Sequence, residues 1–333
     1  MKSDLLDVIE QMQGKRILVI GDMVADVYLH GTISRISREA PVLVLEQAAE
    51  EVIAGGAANV VHNAATLGGK VFAVGLLGLD NAGRGLKEIL EAKGVNTAGF
   101  FCDEKRPTIT KTRIIAGGRA TVSQQIVRID KESKTPMIPA FEANIMQYLE
   151  RVLPQVQGVV LSDYGSGTLT ESIKQMILYH CTKNNIPTMV DSRYDILSFK
   201  GTDFIKQNDG ELAAAVGLEL TTEELLYEAG TKLLNQMEAK GVLITRGEKG
   251  MVLFEDNGAI HDIPVSDKSE VYDVSGAGDT CVATMILALA AGVEPALAAE
   301  LSNFASGIAV RKLGTATVSA NELMKLVKCT RSI

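Results

Sequence analysis

Cysteine and histidine are few and dispersed in this chain. The four cysteines, Cys102, Cys181, Cys281 and Cys329, lack metal-ligand spacing, and Cys281 falls within an apolar run, so they read as free thiols in a reducing compartment. The four histidines are isolated and supply no metal cluster. Basic residues are outnumbered, and the net charge of −8 argues against a nonspecific nucleic-acid surface. Small metabolites are left as the default partners, and an anionic one would need a local basic cluster. The N-terminus has a polar, amphipathic run where a signal peptide has an apolar core, and the apolar run 281–291 is too short to span a bilayer. The expectation is a cytoplasmic protein with no membrane partner. No G-x-x-x-x-G-K-[ST] is present, which excludes a P-loop enzyme; Gly69-Lys70 lacks the rest of it. No G-x-G-x-x-G follows the first strand, which counts against a nicotinamide enzyme.

What is present is a folded chain. It has 333 residues, 46% of them apolar, with no low-complexity segment, which suits one large domain with an elaboration. A β-branched run at 16–20 reads as a buried strand ending in Gly21-Asp22-Met23-Val24-Ala25-Asp26. The stretch 27–47 reads as extended. Ala54-Gly55-Gly56-Ala57-Ala58-Asn59 then opens a helix that runs to Leu67 and is closed by Gly68-Gly69. A strand at 71–76 and a helix at 82–93 follow, and 100–130 again looks extended. From there helices (141–153, 170–183, from 209, 223–239) alternate with strands (158–161, 187–190, 203–205, 242–245), the pattern of βαβ units and a parallel sheet. The two extended segments interrupt that alternation, and the economical reading pairs them into a small β-sheet standing off the main domain as a lid. Arg106, Lys111, Arg113, Arg119 and Arg128 fall within it, either on solvated strand faces or as the basic cluster an anionic substrate requires.

The stretch that can carry chemistry is Asp273-Val274-Ser275-Gly276-Ala277-Gly278-Asp279-Thr280. Two glycines and an alanine let the backbone bend without bulk, so amides can converge on an anion at the start of the next helix. A carboxylate at the edge of such a seat, Asp279, can accept the proton of an attacking hydroxyl while the amides stabilise charge on a phosphoryl group. Taken alone, the octapeptide suits a Gly-rich turn with Asp279 as N-cap equally well. Several strands end in polar groups: Ser162-Asp163-Tyr164, Asp191-Ser192-Arg193, Lys206-Gln207-Asn208 and Thr245-Arg246-Gly247. In open α/β sheets ligands bind beyond the carboxyl ends of the strands, so polar ends on one rim mark a site.

These residues resemble a known family. The run 273–279 is similar to the D-T-x-G-A-G-D signature of the ribokinase-like (PfkB) carbohydrate kinases, 54–59 to their N-terminal glycine-rich signature, and Asn208-Asp209-Gly210-Glu211 to their N-x-x-E motif. Within the family, Gly21-Asp22 with Asp26, Ser34-Arg35-Ile36-Ser37 with Glu39-Ala40-Pro41-Val42, Pro107-Thr108-Ile109-Thr110-Lys111, Leu161-Ser162-Asp163-Tyr164 and Leu313-Gly314-Thr315 with Thr317-Val318-Ser319 resemble the heptose 7-phosphate kinases of the ADP-heptose pathway. Three departures stand out. Their S-D-Y-A-K-G is here Ser162-Asp163-Tyr164-Gly165-Ser166-Gly167, their D-P-K is Asp191-Ser192-Arg193, and their T-P-N is Lys206-Gln207-Asn208. An arginine keeps the charge of a lysine but alters its geometry, and loss of the other lysine leaves the sugar, and whether it is phosphorylated, open.

The resemblance implies an α/β fold, a ribokinase-like three-layer αβα sandwich with a mostly parallel central sheet and a protruding β lid. It would be a single domain over 1–333, with the core at 1–26, 48–99 and 131–333 and the lid at about 27–47 and 100–130. It implies an ATP-dependent kinase acting on a sugar or sugar phosphate, O1 of D-glycero-β-D-manno-heptose 7-phosphate first. Asp279 would be the base, and Gly276, Ala277 and Gly278 the anion hole. Asp22, Asp26, Gly55, Gly56 and Asn59 would meet the sugar, with Lys111, Arg113, Arg128, Asp163 and Arg193 as further substrate ligands. Asn208 and Glu211 would organise magnesium and its waters, and Thr245, Gly247, Asp273, Gly278, Asn303, Gly307 and Gly314 the nucleotide. Asp273 and the 314–315 region would add a K+ site, as in some members. A homodimer through the lid is expected. In the ADP-heptose pathway such a kinase can be fused to a nucleotidyltransferase; 333 residues leave no room for one, so that activity is expected from another protein. The rival readings are a kinase of another sugar and a non-catalytic binding protein of the same fold.

Overall fold

The computed structural model describes residues 4–118, 122–266 and 271–330. In chain order the elements begin with α1 (Leu5–Met12), β1 (Arg16–Gly21), β2 (Met23–Ile36), β3 (Leu43–Gly56), α2 (Ala57–Thr66), β4 (Lys70–Gly78), α3 (Asn81–Glu91), β5 (Asn96–Asp103), β6 (Ile109–Gly117) and β7 (Gln124–Lys131). They continue with α4 (Pro139–Val152), β8 (Gly158–Asp163), α5 (Glu171–Asn184), β9 (Thr188–Ser192), β10 (Phe204–Asn208), α6 (Asp209–Val216), α7 (Glu223–Met237), β11 (Gly241–Thr245), β12 (Met251–Glu255) and β13 (Ile260–Ile263). Three helices close the chain: α8 (Ala277–Ala290), α9 (Pro295–Ala309) and α10 (Ala320–Thr330).

The strand β1 shows why the chain folds in three layers. Ile17, Leu18, Val19 and Ile20 are all fully buried, because both faces of the sheet are covered. Ile17 and Val19 point into one core with residues of α1, α2, α3, α8, α9 and α10, while Leu18 and Ile20 point into a second core with residues of α4, α5, α6 and α7. The sheet between these layers has nine strands in the order β13-β12-β11-β10-β9-β8-β1-β4-β5. It is parallel from β11 to β5, with β12 and β13 added antiparallel at one edge. The chain leaves β1 for β4 and β5 on one side and returns to β8 on the other. The order therefore reverses between β1 and β8, and their carboxyl ends, Gly21-Asp22 and Asp163-Tyr164, open the crevice where such sheets bind ligands.

A separate four-stranded sheet runs β3-β2-β6-β7, with β2 and β6 parallel and the outer pairs antiparallel. Its strands come from the two extended segments the sequence sets apart, with different limits. The first hairpin occupies 23–56 rather than 27–47. The second segment divides, because 96–103 is β5, paired with β4 at the edge of the large sheet, and the small sheet resumes at Ile109. An extended run has the same two-residue period in either sheet, so periodicity could not assign it. Arg119 lies outside the described residues.

The neighbouring strands β1 and β8 approach closely at Gly21, where the sheet meets the crevice. A Cβ there would lie 1.9 Å from the Ser162 carbonyl oxygen on β8. Gly21→Ala is therefore expected to destabilise the protein by about 2–3 kcal/mol, the range for overpacking that cannot relax. Urea unfolding of the variant measures it, and an unchanged midpoint would contradict this packing.

Candidate active site

Helix α8 is apolar on nearly every side, with residues from Asp279 to Leu289 buried against the sheet and neighbouring helices, including α2 and α9. Its N-terminus is therefore aimed at the rim of the sheet. Gly276 is its N-cap at φ +77, in the left-handed region that glycine tolerates, and a Cβ there would lie 2.6 Å from the Asn59 amide nitrogen. The Ala277 amide closes a turn on the Val274 carbonyl at 3.3 Å, whereas first-turn amides such as that of Gly278 have no acceptor within the helix. Of the expected anion hole, Gly278 is the best placed.

Asp279 sits in that first turn and is only 7% exposed. Asn59 Nδ2 donates to its Oδ2 at 2.7 Å, and the Tyr164 hydroxyl donates to its Oδ1 at 3.1 Å. Burial pushes the carboxyl up to about 6, against the lowering pull of the Asn59 and Tyr164 hydrogen bonds and the Lys206 charge; Asp191 pushes it further up. That value suits a general base working near neutrality. Asn59 is itself held, since its Oδ1 accepts from Asn63 Nδ2 at 3.0 Å and Asn63 Oδ1 accepts from the Thr280 hydroxyl and the Val318 amide.

Two residues that the sequence reading gave no role complete this centre. Lys206, 6% exposed on β10, pairs with Asp191 Oδ2 at 3.1 Å. A Cβ on Gly278 would lie 2.8 Å from the Lys206 ammonium, so glycine is what lets the cation reach the start of α8. Burial opposes its charge, but Asp191, with Glu211 behind it, outweighs this and holds Lys206 above the usual lysine range. The sequence carried a signal for it: a lysine inside a short buried strand that ends at the polar rim. The other is Tyr164, whose hydroxyl is pushed well above its ordinary value by burial and by the charges of Asp279 and Asp191, so it stays a donor.

The expected sugar ligands divide. Asp22 accepts from the amides of Tyr164 and Ser166 at 2.9 Å each and of Thr168 at 3.3 Å, so it fixes the loop after β8. Asp163 accepts from the Ser192 hydroxyl at 2.7 Å and the Gly165 amide at 3.0 Å, tying β8 to β9, and burial raises its carboxyl despite those bonds. Asp26 is 3% exposed and accepts from Arg113 Nη1 at 2.7 Å; Gly55 packs against its carboxylate and Gly56 against Val24. Register places Asp26 beside Lys111, Tyr28 beside Arg113, and Arg113 beside Arg128, so all five share one face of the small sheet. On that face the Lys111 ammonium stands 5.4 Å from the centre of the Tyr164 ring and has no carboxylate partner among the described residues. Arg128 is half-exposed and forks onto Asp130. Arg106 is instead buried, its guanidinium donating to the Thr135 carbonyl. Arg193 is exposed beyond β9, over the Tyr194 ring, and its charge reaches the Tyr164 hydroxyl.

On the other side of α8, Asn208 and Glu211 form a capping box. Asn208 Oδ1 accepts from the Glu211 amide and Glu211 Oε2 from the Asn208 amide, both at 2.8 Å. Among the described residues no cluster of three or more His, Cys, Asp or Glu could hold a metal. This donor set fits magnesium, which keeps its waters and takes few protein ligands beside substrate phosphates. Thr245 donates to the Gln207 carbonyl at 3.4 Å, and Gly247, at φ +56, starts the turn after β11. Asn303 donates to the Pro264 carbonyl at 2.6 Å, and Gly307 leaves room for Ser266, whose buried hydroxyl has no partner among the described residues. That bare hydroxyl beside a glycine suits a nucleotide cradle. Asp273 accepts from the Ser275 amide at 2.9 Å and the Gly314 amide at 3.0 Å, joining the glycine-rich turn to the 314 loop. Burial acts to raise its carboxyl, but these bonds prevail and lower it.

No described helix is long and apolar enough to cross a membrane. The pfkB family carbohydrate kinase pattern matches residues 15–322. The chain is 37% identical over 318 residues, 95% of its length, to the bifunctional protein HldE of Helicobacter hepaticus, and 41% identical over 308 residues, 92% of its length, to that of Geobacter metallireducens. It spans 64% and 62% of those two proteins. In fold it is similar to phosphofructokinase-2 from Escherichia coli, solved in complex with potassium, at a TM-score of 0.73 and 20% identity, covering 96% of this chain and 99% of that one. It is also similar to Arabidopsis thaliana ribokinase, solved with ribose and ATP, at 0.71 and 20%, covering 95% and 99%. With the pattern spanning nearly the whole chain and a buried carboxylate at the start of the glycine-capped helix, the protein belongs to the pfkB family of carbohydrate kinases.

Proposed function

We propose that this ATP-dependent sugar kinase phosphorylates O1 of D-glycero-β-D-manno-heptose 7-phosphate, giving the 1,7-bisphosphate. The observation that carries the chemistry is Asp279, buried in the first turn of α8 beside the Gly278 amide and the Lys206 ammonium. A sugar hydroxyl donates its proton to Asp279 as its oxygen bonds to the γ-phosphorus, and the bond from that phosphorus to the bridging oxygen breaks with its electron pair leaving on ADP. Charge that grows on the phosphoryl oxygens meets the helix amides and Lys206, both already in place. Magnesium, organised through its waters by Asn208 and Glu211, would supply positive charge to the ATP phosphates. Asp273 and the Thr315 hydroxyl, buried with no partner among the described residues, support a K+ ion beside the same turn. Thr245, Gly247, Asn303, Gly307 and Gly314 line the nucleotide side in this reading.

For the acceptor, support comes from the HldE relatives and from the small sheet, which we read as the lid. Among the described residues Lys111 is a cation with no carboxylate partner, as the 7-phosphate of an acceptor requires. Asp26, Arg113 and Asn59 line the approach to Asp279, with Arg128 further out. The lid's opposite face brings Leu29, Ile114 and Val127 into one row, with Ile129 also exposed, and we assign it to a second copy of the chain in a homodimer. Four free cysteines suit the reducing cytoplasm.

The test is ADP release from ATP and magnesium with heptose 7-phosphate, sedoheptulose 7-phosphate, fructose 6-phosphate, ribose or fructose at matched concentrations. Selectivity for the heptose phosphate is expected; preference for an unphosphorylated sugar would overturn the acceptor while keeping the kinase. Asp279→Asn should lower kcat by roughly 10²-fold or more. It should also raise stability at pH 8, because the folded carboxyl titrates at about 6, above its unfolded value, so burying its charge costs stability above pH 6 and nothing below the unfolded pKa. Urea midpoints at pH 8 and pH 3.5 check the sign. Lys206→Met should lose about 3–5 kcal/mol by stranding Asp191. The double variant Lys206→Met with Asp191→Asn should recover most of that stability but retain a kcat lower by roughly 10²-fold; recovery of both would remove Lys206 from the chemistry.

A further inference from the structure

We propose that Tyr164 is a positioning residue that caps the base Asp279 until the acceptor hydroxyl takes its place. The proposal rests on the kinase reading above. Each oxygen of Asp279 carries one side-chain donor, Asn59 on Oδ2 and Tyr164 on Oδ1. For a sugar hydroxyl to lose its proton to this carboxylate it must donate to one of them; each ionised oxygen keeps a second lone pair, but Asp279 is only 7% exposed, and the acceptor takes the approach to Oδ1 that the Tyr164 hydroxyl covers.

The two donors differ in freedom. Asn59 is fully buried on α2, and its amide is locked through Asn63 to Thr280 and Val318. Tyr164 is half-buried on the loop between β8 and α5, at the mouth of the crevice. The backbone of that loop cannot drift, since Asp22 holds the amides of residues 164, 166 and 168 and Asp163 holds that of 165. Movement is therefore confined to the tyrosine side chain. Its ring lies under the Lys111 ammonium, delivered by β6 of the small sheet. An acceptor that draws Lys111 to its phosphate removes the cover from Tyr164 and brings its own hydroxyl to Oδ1. Until then the capped base cannot activate water against ATP.

Other charged or titratable groups face Asp279 as well: Asp191 at the end of β9, Lys206 on β10, and Cys281 on α8 itself beside the Lys206 and Asp191 charges, with Lys111 and Arg193 acting on it through Tyr164. None of these changes in Tyr164→Phe, which removes only the hydroxyl.

The test compares wild type with Tyr164→Phe, using ATP, magnesium and heptose 7-phosphate across pH 5 to 9. The acidic limb of kcat/KM reports the free enzyme and that of kcat the complex. The variant should move the kcat/KM limb up by about one pH unit, because a donor to the carboxylate is lost, leave the kcat limb in place, and raise ATP turnover without sugar severalfold. Equal movement of both limbs, or of neither, overturns the proposal. A ¹³C NMR titration of the Asp279 carboxyl in the free protein gives a second reading without turnover, in which an equal pKa in both proteins also overturns it. Failure of the wild type to turn over any sugar sinks the kinase reading separately, and the titration still decides whether the cap exists.

Discussion

A carboxylate is held almost out of water at the start of a buried helix. Helix α8 is covered on nearly every side, and Asp279 enters the interior with its first turn. Much else about the site answers that constraint. Asn59 and Tyr164 satisfy the two oxygens, Lys206 brings a compensating charge, and Asp191 keeps Lys206 ionised. Glycines at 276 and 278 remove the side chains that would collide with Asn59 and Lys206. Asp279 is costly to bury, and in the role proposed for it that burial is what makes it reactive, a common trade between stability and activity.

The reversal of strand order decides where this centre lies. It sets the ends of β1 and β8 side by side, and Asp22 then spans the crevice floor, binding the loop after β8 from the end of β1. The residue belongs to the site by fixing its shape, whereas Asp26, one strand further on, faces the mouth with Arg113. The small sheet has a polar face and an apolar one because its strands alternate, so a single register would serve the proposed substrate and partner surfaces together.

Much of the fold was legible because β1 and its neighbours are buried on both faces and so read as continuous apolar runs bounded by glycine and polar rims. The short edge pair β12 and β13 and the alanine-rich α9 carry weaker patterns and were not read. The place of Asp279 in the first turn of a helix was legible from Gly276-Ala277-Gly278-Asp279, since local sequence dictates a helix N-terminus. Tyr164 and Lys206 were quoted at the rim without a role, because their meaning depends on strands over a hundred and about seventy residues away in sequence from α8. The same blindness made Asp22, Asp163 and Arg193 look alike as rim residues, although two tie backbone and strands together and the third is exposed.

The place of β1 in the sheet also bears on how the chain is made. Its partners are β4, which follows closely, and β8, which ends only at Asp163. A ribosome delivering the chain from its N-terminus exposes one edge of the central strand until half the protein has emerged. Contacts this distant in sequence form slowly, and an unpaired apolar edge invites association with other chains. The residues before β8 thus include the proposed acceptor side of the site well before the strand that closes it, and for that interval the open edge of β1 is exposed.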